Sequence, residues 1–187
     1  MKIIQFYNNE KQLIKKAAKQ NREAQKLLYE KHAPLMLSVC RRYIKDLQHA
    51  EEVMLNGFLK VFSNINRFSF NGSFEGWVRK IMVNESINFL KSQKNVFLVE
   101  DEISDINNSW NNIYEQINVE EIQELIDELP NGYRMVFVLY AIEGYKHAEI
   151  AKMLSITEST SKSQLFKARK LLQQSVNKLN KKSYGTP

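Results

Sequence analysis

The stretch that decides the fold is GYKHAEIAKMLSITESTSKSQLFKARKLL, residues 144–172. Its first half spaces apolar residues at helical intervals, which predicts a two-turn helix from about His147 to Leu154. That helix is expected to bury Ile150, Ala151 and Leu154, and the small Ala151 allows a second helix to cross closely. The second half is rich in lysine and serine, so it requires a different explanation.

Ser155 and Ile156 are predicted to form a corner, and Thr157 to cap the next helix through its side-chain oxygen. One face of that helix is expected to pack inward, and it carries Ser161, Leu165, Ala168 and Leu172. The opposite face offers hydroxyls, an aromatic ring and cations, from Ser159, Thr160, Ser163, Phe166 and Lys170 with Lys162, Lys167 and Arg169 beside them. This arrangement predicts a helix-turn-helix whose second helix enters a DNA groove. The alternative is a basic, solvated helix at the end of a bundle.

The rest of the chain also follows helical periodicity. Residues 23–45 place Leu28, Leu35, Val39 and Tyr43 on an apolar face, and Pro34 is expected to bend or interrupt that helix. A second helix is predicted from about Ala50 to Ser63. A third starts after Ser73, its expected N-cap, with an apolar face of Phe74, Val78, Ile81, Met82 and Phe89.

A change in composition separates two lobes. Residues 95–119 contain no Lys or Arg, several acidic residues and many asparagines, which is typical of a linker. Helical pattern resumes at Glu120, and LPNGYR at 129–134 predicts a helix break with a new start. The expected fold is therefore all-α, with helical domains at 1–94 and 120–187 joined by a flexible linker at 95–119.

Composition limits the possible functions. The net charge is +6 and the pI about 9.3, which favours an acidic partner such as nucleic acid. Cys40 is the only cysteine, so an internal disulfide and a multi-cysteine zinc site are excluded, and its apolar surroundings predict an inert buried thiol. The histidines lack metal-ligand spacing, and no phosphate-binding glycine loop or nucleophile–base pair is found. We therefore expect no metal, no cofactor and no enzymatic activity. No apolar run suggests a signal peptide or membrane insertion, which predicts a cytoplasmic protein.

Residues 124–172 resemble the C-terminal DNA-binding domain of extracytoplasmic-function (ECF) sigma factors, a subfamily of the sigma-70 type. The matching positions are Leu129-Pro130, Glu143-Gly144, Glu149-Ile150-Ala151, Thr160, Lys162-Ser163 and Ala168-Arg169. In the other half, AEEVMLNGFLKVF at 50–62 resembles the family's polymerase-binding helix, and FEGWVRKIMVNESINFLK at 74–91 its promoter-melting helix. Leu55 and Asn56 depart from the family's glutamine-glutamate, and Ser155 from its glycine.

The resemblance implies that this is a sigma factor, which gives core RNA polymerase its promoter specificity. The N-terminal domain is then expected to bind polymerase and to recognise and melt the −10 element, while the C-terminal domain reads the −35 element. An anti-sigma factor is the implied controlling partner. The polymerase contacts are expected at Glu51, Glu52, Leu55, Asn56, Phe58 and Leu59, although adjacent Glu51 and Glu52 also suit charges at a helix start.

The expected DNA contacts of the N-terminal domain fall in two groups. Lys80, Asn84, Asn88 and Lys91 share an arc of the third helix, where amides can pair with base edges and lysines can neutralise phosphate; the alternative is a solvated face. The loop before that helix offers Arg67, Phe68 and Asn71 to an unstacked base, with Trp77 at the edge of the core; Phe74 is expected to plug the core. Two other functions remain open, namely an autonomous helix-turn-helix regulator and a protein-binding adaptor.

Overall fold

The computed structural model describes residues 10–93 and 119–183, and all regular structure within these two ranges is helical. The chain divides into two compact units, Met1–Ser92 and Gln93–Pro187. The N-terminal unit contains α1 (Glu10–Ala18), α2 (Arg22–Tyr43), α3 (Leu47–Asn64) and α4 (Phe74–Ser92), with a 3₁₀ turn at Ile65–Arg67. The C-terminal unit contains α5 (Val119–Glu128), α6 (Asn131–Phe137), α7 (His147–Leu154) and α8 (Glu158–Ser183), and α6 continues into a π turn at Val138–Ile142. The predicted all-α class is confirmed.

The core of the N-terminal unit lies where α2, α3 and α4 pack against one another. Its fully buried side chains include Leu28, Met36, Val39, Tyr43, Val61, Val78 and Met82. Burying one such apolar side chain is worth about 1.5–3 kcal/mol. This small three-helix core therefore fixes α4, the helix on which the predicted DNA contacts lie.

Polar side chains start these helices. Asn21 accepts a hydrogen bond from the Ala24 amide at 2.9 Å, and Asp46 accepts one from the His49 amide at 2.8 Å. Ser73 accepts one from the Gly76 amide at 3.0 Å, which confirms its predicted capping role at α4.

Because Asp46 caps α3, the helix begins at Leu47 rather than near Ala50. Glu51 and Glu52 consequently lie beyond the first turn, so their interpretation as helix-start charges is wrong. Both are exposed on the surface of α3.

One expectation for α2 is also wrong, because Leu35 is exposed rather than part of the apolar face. The helix continues through Pro34, so of the two predicted effects, a bend or an interruption, the interruption does not occur. Pro34 is itself exposed, so water can solvate the one carbonyl that loses its N–H partner. Leu28, Val39 and Tyr43 are buried as predicted.

Cys40 lies in the core with no exposed surface. Burial raises the pKa of its thiol to about 11, although a hydrogen bond with Ser86 acts in the opposite direction. The burial predicted for this thiol is confirmed, and its raised pKa disfavours the thiolate, the reactive form of cysteine.

The C-terminal unit is built around α8, which packs against α5, α6 and α7. The predicted break holds, because α5 ends at Glu128 and α6 begins at Asn131. Helix α7 has the predicted bounds and buries Ile150, Ala151 and Leu154. The inward face of α8 carries buried Ser161, Leu165 and Ala168 with partly buried Leu172, as predicted.

Residues 94–118, almost all of the predicted linker, lie outside the described residues, and α5 begins at Val119. Within the described ranges no helix has the length and apolar character needed to cross a membrane. The same ranges contain no group of three or more His, Cys, Asp or Glu side chains placed to hold a metal ion.

Candidate nucleic-acid interface

The corner between α7 and α8 sets the direction of the second helix. Ser155 adopts the left-handed conformation, with φ 59° and ψ 43°, which costs a non-glycine residue about 1–2 kcal/mol. The Ile156 amide then donates to the Ala151 carbonyl at 3.0 Å, closing the end of α7. Thr157 accepts a hydrogen bond from the Thr160 amide at 3.0 Å, so the predicted cap of α8 is confirmed.

Four exposed side chains form a stripe along α8, which we call the recognition stripe: Ser159, Lys162, Phe166 and Arg169. Their spacing of three, four and three residues keeps them on one side of a helix. Phe166 is 44% exposed, and such a ring can contact the methyl group of thymine in the major groove. The stripe therefore combines a hydroxyl, an apolar surface and two cations.

The other predicted contacts on α8, Thr160, Ser163, Lys167 and Lys170, are partly buried beside the stripe. Thr160 shares a hydrogen bond with the Thr157 hydroxyl at 2.8 Å, and Ser163 donates to the Thr160 carbonyl at 3.0 Å. The Lys167 ammonium lies 5.9 Å from the centre of the Tyr133 ring. Lys167 thus leans onto its own unit, whereas Lys162 is exposed and lies 4.0 Å from the Glu158 carboxylate on the same helix.

His147 was not predicted as part of this face. Its Nδ1 lies 2.9 Å from the Oγ of buried Ser161, and its ring stacks on Tyr140 with centroids 4.6 Å apart. The Arg169 guanidinium lies 5.6 Å from the centre of the same Tyr140 ring. Burial lowers the pKa of His147, Lys162 and Arg169 lower it further, and Glu158 acts in the opposite direction. This cluster fastens α7 to α8 directly behind the recognition stripe.

In the N-terminal unit, the loop before α4 lines an open pocket of about 300 Å³. Its lining consists of Arg67, Phe68, Ser69, Asn71, Gly72, Ser73, Gly76 and Trp77. Arg67, Phe68, Asn71 and Trp77 were all predicted DNA contacts, and the structure brings the four together. The size is at the lower end of ligand pockets and suits a single planar base.

Aromatic rings that pack edge-on and tilted against one another support the pocket wall. Phe68 lies 5.3 Å from Phe74 and 5.6 Å from Trp77, measured between ring centroids. Phe74 is buried, as predicted for a core plug, and Trp77 is partly buried at the edge of the core. Two walls of the pocket are therefore fixed by the core.

The predicted arc on α4 is exposed at Lys80, Asn84, Asn88 and Lys91. Its position is fixed from behind by Glu85, whose carboxylate pairs with Lys60 of α3 at 2.6 Å. Lys80 lies one turn after Gly76, so the arc begins beside the pocket. The loop and the arc thus form one continuous surface.

The predicted polymerase contacts on α3 separate into two sets. Glu51, Glu52, Leu55, Asn56 and Leu59 are exposed, with Leu55 at 49% and Leu59 at 66%. Phe58 is only 3% exposed and packs edge-on against Tyr29 at 4.9 Å. Phe58 therefore belongs to the unit's own core, and its prediction as a surface contact is wrong.

Phe70 and Lys11 were not among the predicted site residues. Phe70 has a positive φ of 59°, is 39% exposed, and lies outside the pocket lining. Its ring lies 4.9 Å from Phe68, and the Lys11 ammonium of α1 lies 5.4 Å from its centroid. The three phenylalanines of the loop were visible in the sequence, but the contact with α1 was not.

Comparison with known proteins identifies the family. Residues 28–96 match the model of Sigma-70 region 2, and residues 119–172 match the model of Sigma-70, region 4. The RNA polymerase sigma factor SigV of Bacillus subtilis is 28% identical over 131 residues, which cover 70% of this chain and 77% of that protein. The ECF RNA polymerase sigma factor SigW of the same organism is 24% identical over 184 residues, covering 90% of this chain and 97% of that protein.

A solved structure shares the fold. The sigma factor RpoE of Bartonella quintana, in complex with the anti-sigma factor NepR, superposes with a TM-score of 0.52 at 17% identity. The superposition covers 81% of this chain and 96% of that one. With both sigma-70 regions matched in order and relatives of the ECF type aligned along most of the chain, this protein belongs to the extracytoplasmic-function subfamily of sigma-70 factors.

Proposed function

We propose that this protein is the promoter-specificity subunit of RNA polymerase, and that its N-terminal unit opens the −10 element while its C-terminal unit reads the −35 element. The polymerase performs the chemistry, so the role of this chain is binding and positioning in the cytoplasm. The observation that carries the proposal is the presence of two different nucleic-acid surfaces in one chain. One is a cationic groove-reading stripe and the other a base-sized pocket.

The C-terminal surface suits double-stranded DNA. Lys162 and Arg169 sit where phosphate neutralisation anchors the helix, while Ser159 and Phe166 face the base edges. Over residues 158–179, helix α8 carries Lys162, Lys167, Arg169, Lys170 and Lys178 against a single acidic residue, Glu158. This excess of positive charge favours DNA at physiological salt.

The N-terminal surface suits DNA that has lost its pairing. An unstacked base can enter the pocket against Phe68 and Trp77, while Arg67 and Asn71 supply polar contacts to its rim. Stacking on an aromatic side chain is worth about 1–3 kcal/mol per base, comparable to one or two base-pair steps. Asn84 and Lys80 follow the same strand along α4, so the pocket and arc favour the open promoter over the closed one.

Docking to core polymerase is proposed at the exposed face of α3, through Glu51, Glu52, Leu55, Asn56 and Leu59. Exposed leucines on a small unit mark an interaction surface when they occur together. Leu55 and Leu59 are one helical turn apart, so they offer one apolar strip with carboxylates beside it. We further propose control by an anti-sigma factor, as the complex of the Bartonella relative suggests.

The experiment begins with purified core polymerase and a library of randomised promoters. Run-off transcripts recovered only in the presence of this chain define its promoter and distinguish a sigma factor from an autonomous regulator or an adaptor. On that promoter, Arg67→Ala with Asn84→Ala is expected to spare the closed complex, because α8 still docks upstream. Permanganate reactivity of unpaired thymines is expected to fall at least tenfold.

A template mismatched over the melted region is the decisive comparison. It removes the cost of opening, so transcription by the double variant is expected to recover to near the wild-type level. The matched control is Asn66→Ala, an exposed residue in the same segment that does not line the pocket. Failure of the mismatched template to rescue would contradict a melting role and assign both residues to polymerase contact or folding.

A further inference from the structure

Helix α1 lies N-terminal to the segment that matches sigma-70 region 2, which begins at residue 28. It is nevertheless part of the folded N-terminal unit, because Leu13, Ile14 and Ala17 are buried and α1 packs against α2 and the turn at Ile65–Arg67. That turn leads directly into the pocket loop. The position of α1 therefore requires an explanation beyond the family match.

Two lines of contact run from α1 to the pocket. In the first, Lys11 lies over the ring of Phe70, Phe70 packs on Phe68, and Phe68 forms a pocket wall. In the second, Glu10 accepts a hydrogen bond from buried His32 at 2.9 Å, and the His32 ring meets Phe74 edge-on at 5.5 Å.

Phe74 then packs against Trp77, the opposite pocket wall, with ring centroids 5.7 Å apart. Glu10 also accepts a hydrogen bond from Lys31 at 2.8 Å. Both walls of the pocket are thus connected to consecutive residues of one helix.

The loop would not hold this form by its own preference. Phe70 has a left-handed backbone that an aromatic residue rarely adopts, and Gly72 follows it with φ 111°. The turn at Phe70 directs its ring away from the pocket, to the side of Phe68 that faces α1. The contact with Lys11 stabilises that conformation, because the Lys11 ammonium is attracted to the face of the Phe70 ring.

We propose that α1 is a brace for the promoter-opening pocket, in which Lys11 is a positioning residue that holds Phe70 out of the pocket and keeps the pocket open to receive a base. The proposal rests on the proposed function for the identity of the ligand, but the brace itself is a property of the free protein. Lys11 acts through Phe70 and does not need to contact DNA.

The first test uses the full chain without polymerase or DNA. The protein has two tryptophans, so Trp110→Phe leaves Trp77 as the sole reporter of the pocket. In this background Lys11→Ala is expected to change acrylamide quenching of Trp77 by about twofold or more, because the wall beside it loses its support. Lys11→Arg keeps a cation over the ring and is expected to match the parent protein.

Lys15→Ala is the matched control, since Lys15 is an exposed lysine one turn further along the same helix. It removes the same charge without touching Phe70, so Trp77 is expected to be unaffected. Unchanged quenching in Lys11→Ala, or a change of equal size in Lys15→Ala, overturns the brace. Failure of Lys11→Arg to restore the parent signal overturns it as well.

The second test measures permanganate reactivity on the selected promoter. Lys11→Ala is expected to lower opening about two- to fivefold, the range of one exposed cation–π contact, with Lys11→Arg and Lys15→Ala near wild type. If Lys11→Ala changes Trp77 quenching but leaves opening intact, the brace stands and the melting role of the pocket fails. If opening falls while Trp77 is unaffected, Lys11 acts on the DNA directly and the brace is overturned.

Discussion

His147 shows how one side chain can link helix packing to pH. Its Nδ1 meets Ser161, its ring lies on Tyr140, and Lys162, Arg169 and Glu158 are the charged groups that act on it. Because its pKa is lowered in the folded protein, the unfolded chain takes up the proton first as the pH falls. The stability that this shift contributes is therefore fully present above about pH 6.5, the usual histidine pKa, and decreases as the pH falls below that value.

We therefore expect α7 and α8 to open more readily at pH 5.5 than at pH 7.5. Hydrogen exchange of α7 amides measures this directly, and His147→Gln is expected to weaken the pH dependence while retaining a polar partner for Ser161. His49→Gln, at an exposed histidine of the other unit, is the control. Equal pH dependence of α7 hydrogen exchange in wild type and His147→Gln would show that the titration of His147 does not affect the stability of the α7–α8 packing.

A substitution at Leu55 tests whether this side chain belongs to the polymerase-binding surface or to the core of its own unit. Because 49% of the Leu55 surface is exposed, Leu55→Asp is expected to change the thermal midpoint by less than about 2 °C. Substitutions at exposed positions usually change the free energy of unfolding by no more than about 0.5 kcal/mol. Affinity for core polymerase, measured by competition with wild-type protein, is expected to fall at least tenfold. Leu47→Asp, at an equally exposed leucine two turns earlier on α3, is the control for the added charge.

Phe58→Ala supplies the opposite case. Because Phe58 is buried against Tyr29, its truncation is expected to cost about 3–5 kcal/mol of stability. A large loss of thermal stability in Leu55→Asp would place Leu55 in the same class as Phe58 and remove it from the polymerase surface.

At the scale of the element, we expect different residues of α8 to contact the phosphates and the bases of the DNA. Lys162→Ala is expected to weaken binding to many sequences alike and to reduce the slope of log K against log salt by about one. Ser159→Ala is expected to leave that slope intact and to alter the preferred −35 sequence. Lys178→Ala removes a lysine near the far end of the same helix and serves as the control. An unchanged slope in Lys162→Ala would exclude its phosphate contact.

The elements themselves were well predicted wherever a local pattern determined them. Ser73 and Thr157 were found as caps because a hydroxyl before an apolar run has a specific local role. The failures at α2 and α3 have the same origin in reverse. Helix α2 continues through Pro34, which faces water, and Asp46 caps α3 four residues before its predicted start at Ala50. Solvent exposure and a cap that precedes the apolar pattern are not visible in periodicity alone.

At the scale of the whole molecule, the candidate site was predictable in parts and not in its assembly. Lys80, Asn84 and Asn88 share a face by helical geometry, so the sequence is sufficient to group them. The contact of Lys11 with Phe70 joins residues almost sixty positions apart, and its formation depends on the left-handed turn at Phe70. Similarly, the packing of His147 on Tyr140 and Ser161 depends on how α7 crosses the unit. Such contacts follow from tertiary packing, for which a single sequence carries no periodic signal.

Cys40 gives this two-unit chain a built-in reporter of partial unfolding. It is the only cysteine, it is completely buried in the N-terminal unit, and its thiol is protonated at neutral pH. A thiol reagent can therefore modify the chain only during an opening of that unit, at a rate at least about a thousandfold below that of a free thiol. Phe58→Ala is expected to accelerate modification and Leu55→Asp to leave it unchanged, as mass spectrometry of the intact protein would record. The rate at which Cys40 is modified thus reports the opening of the N-terminal unit within the full-length chain. Opening of the C-terminal unit does not affect this rate.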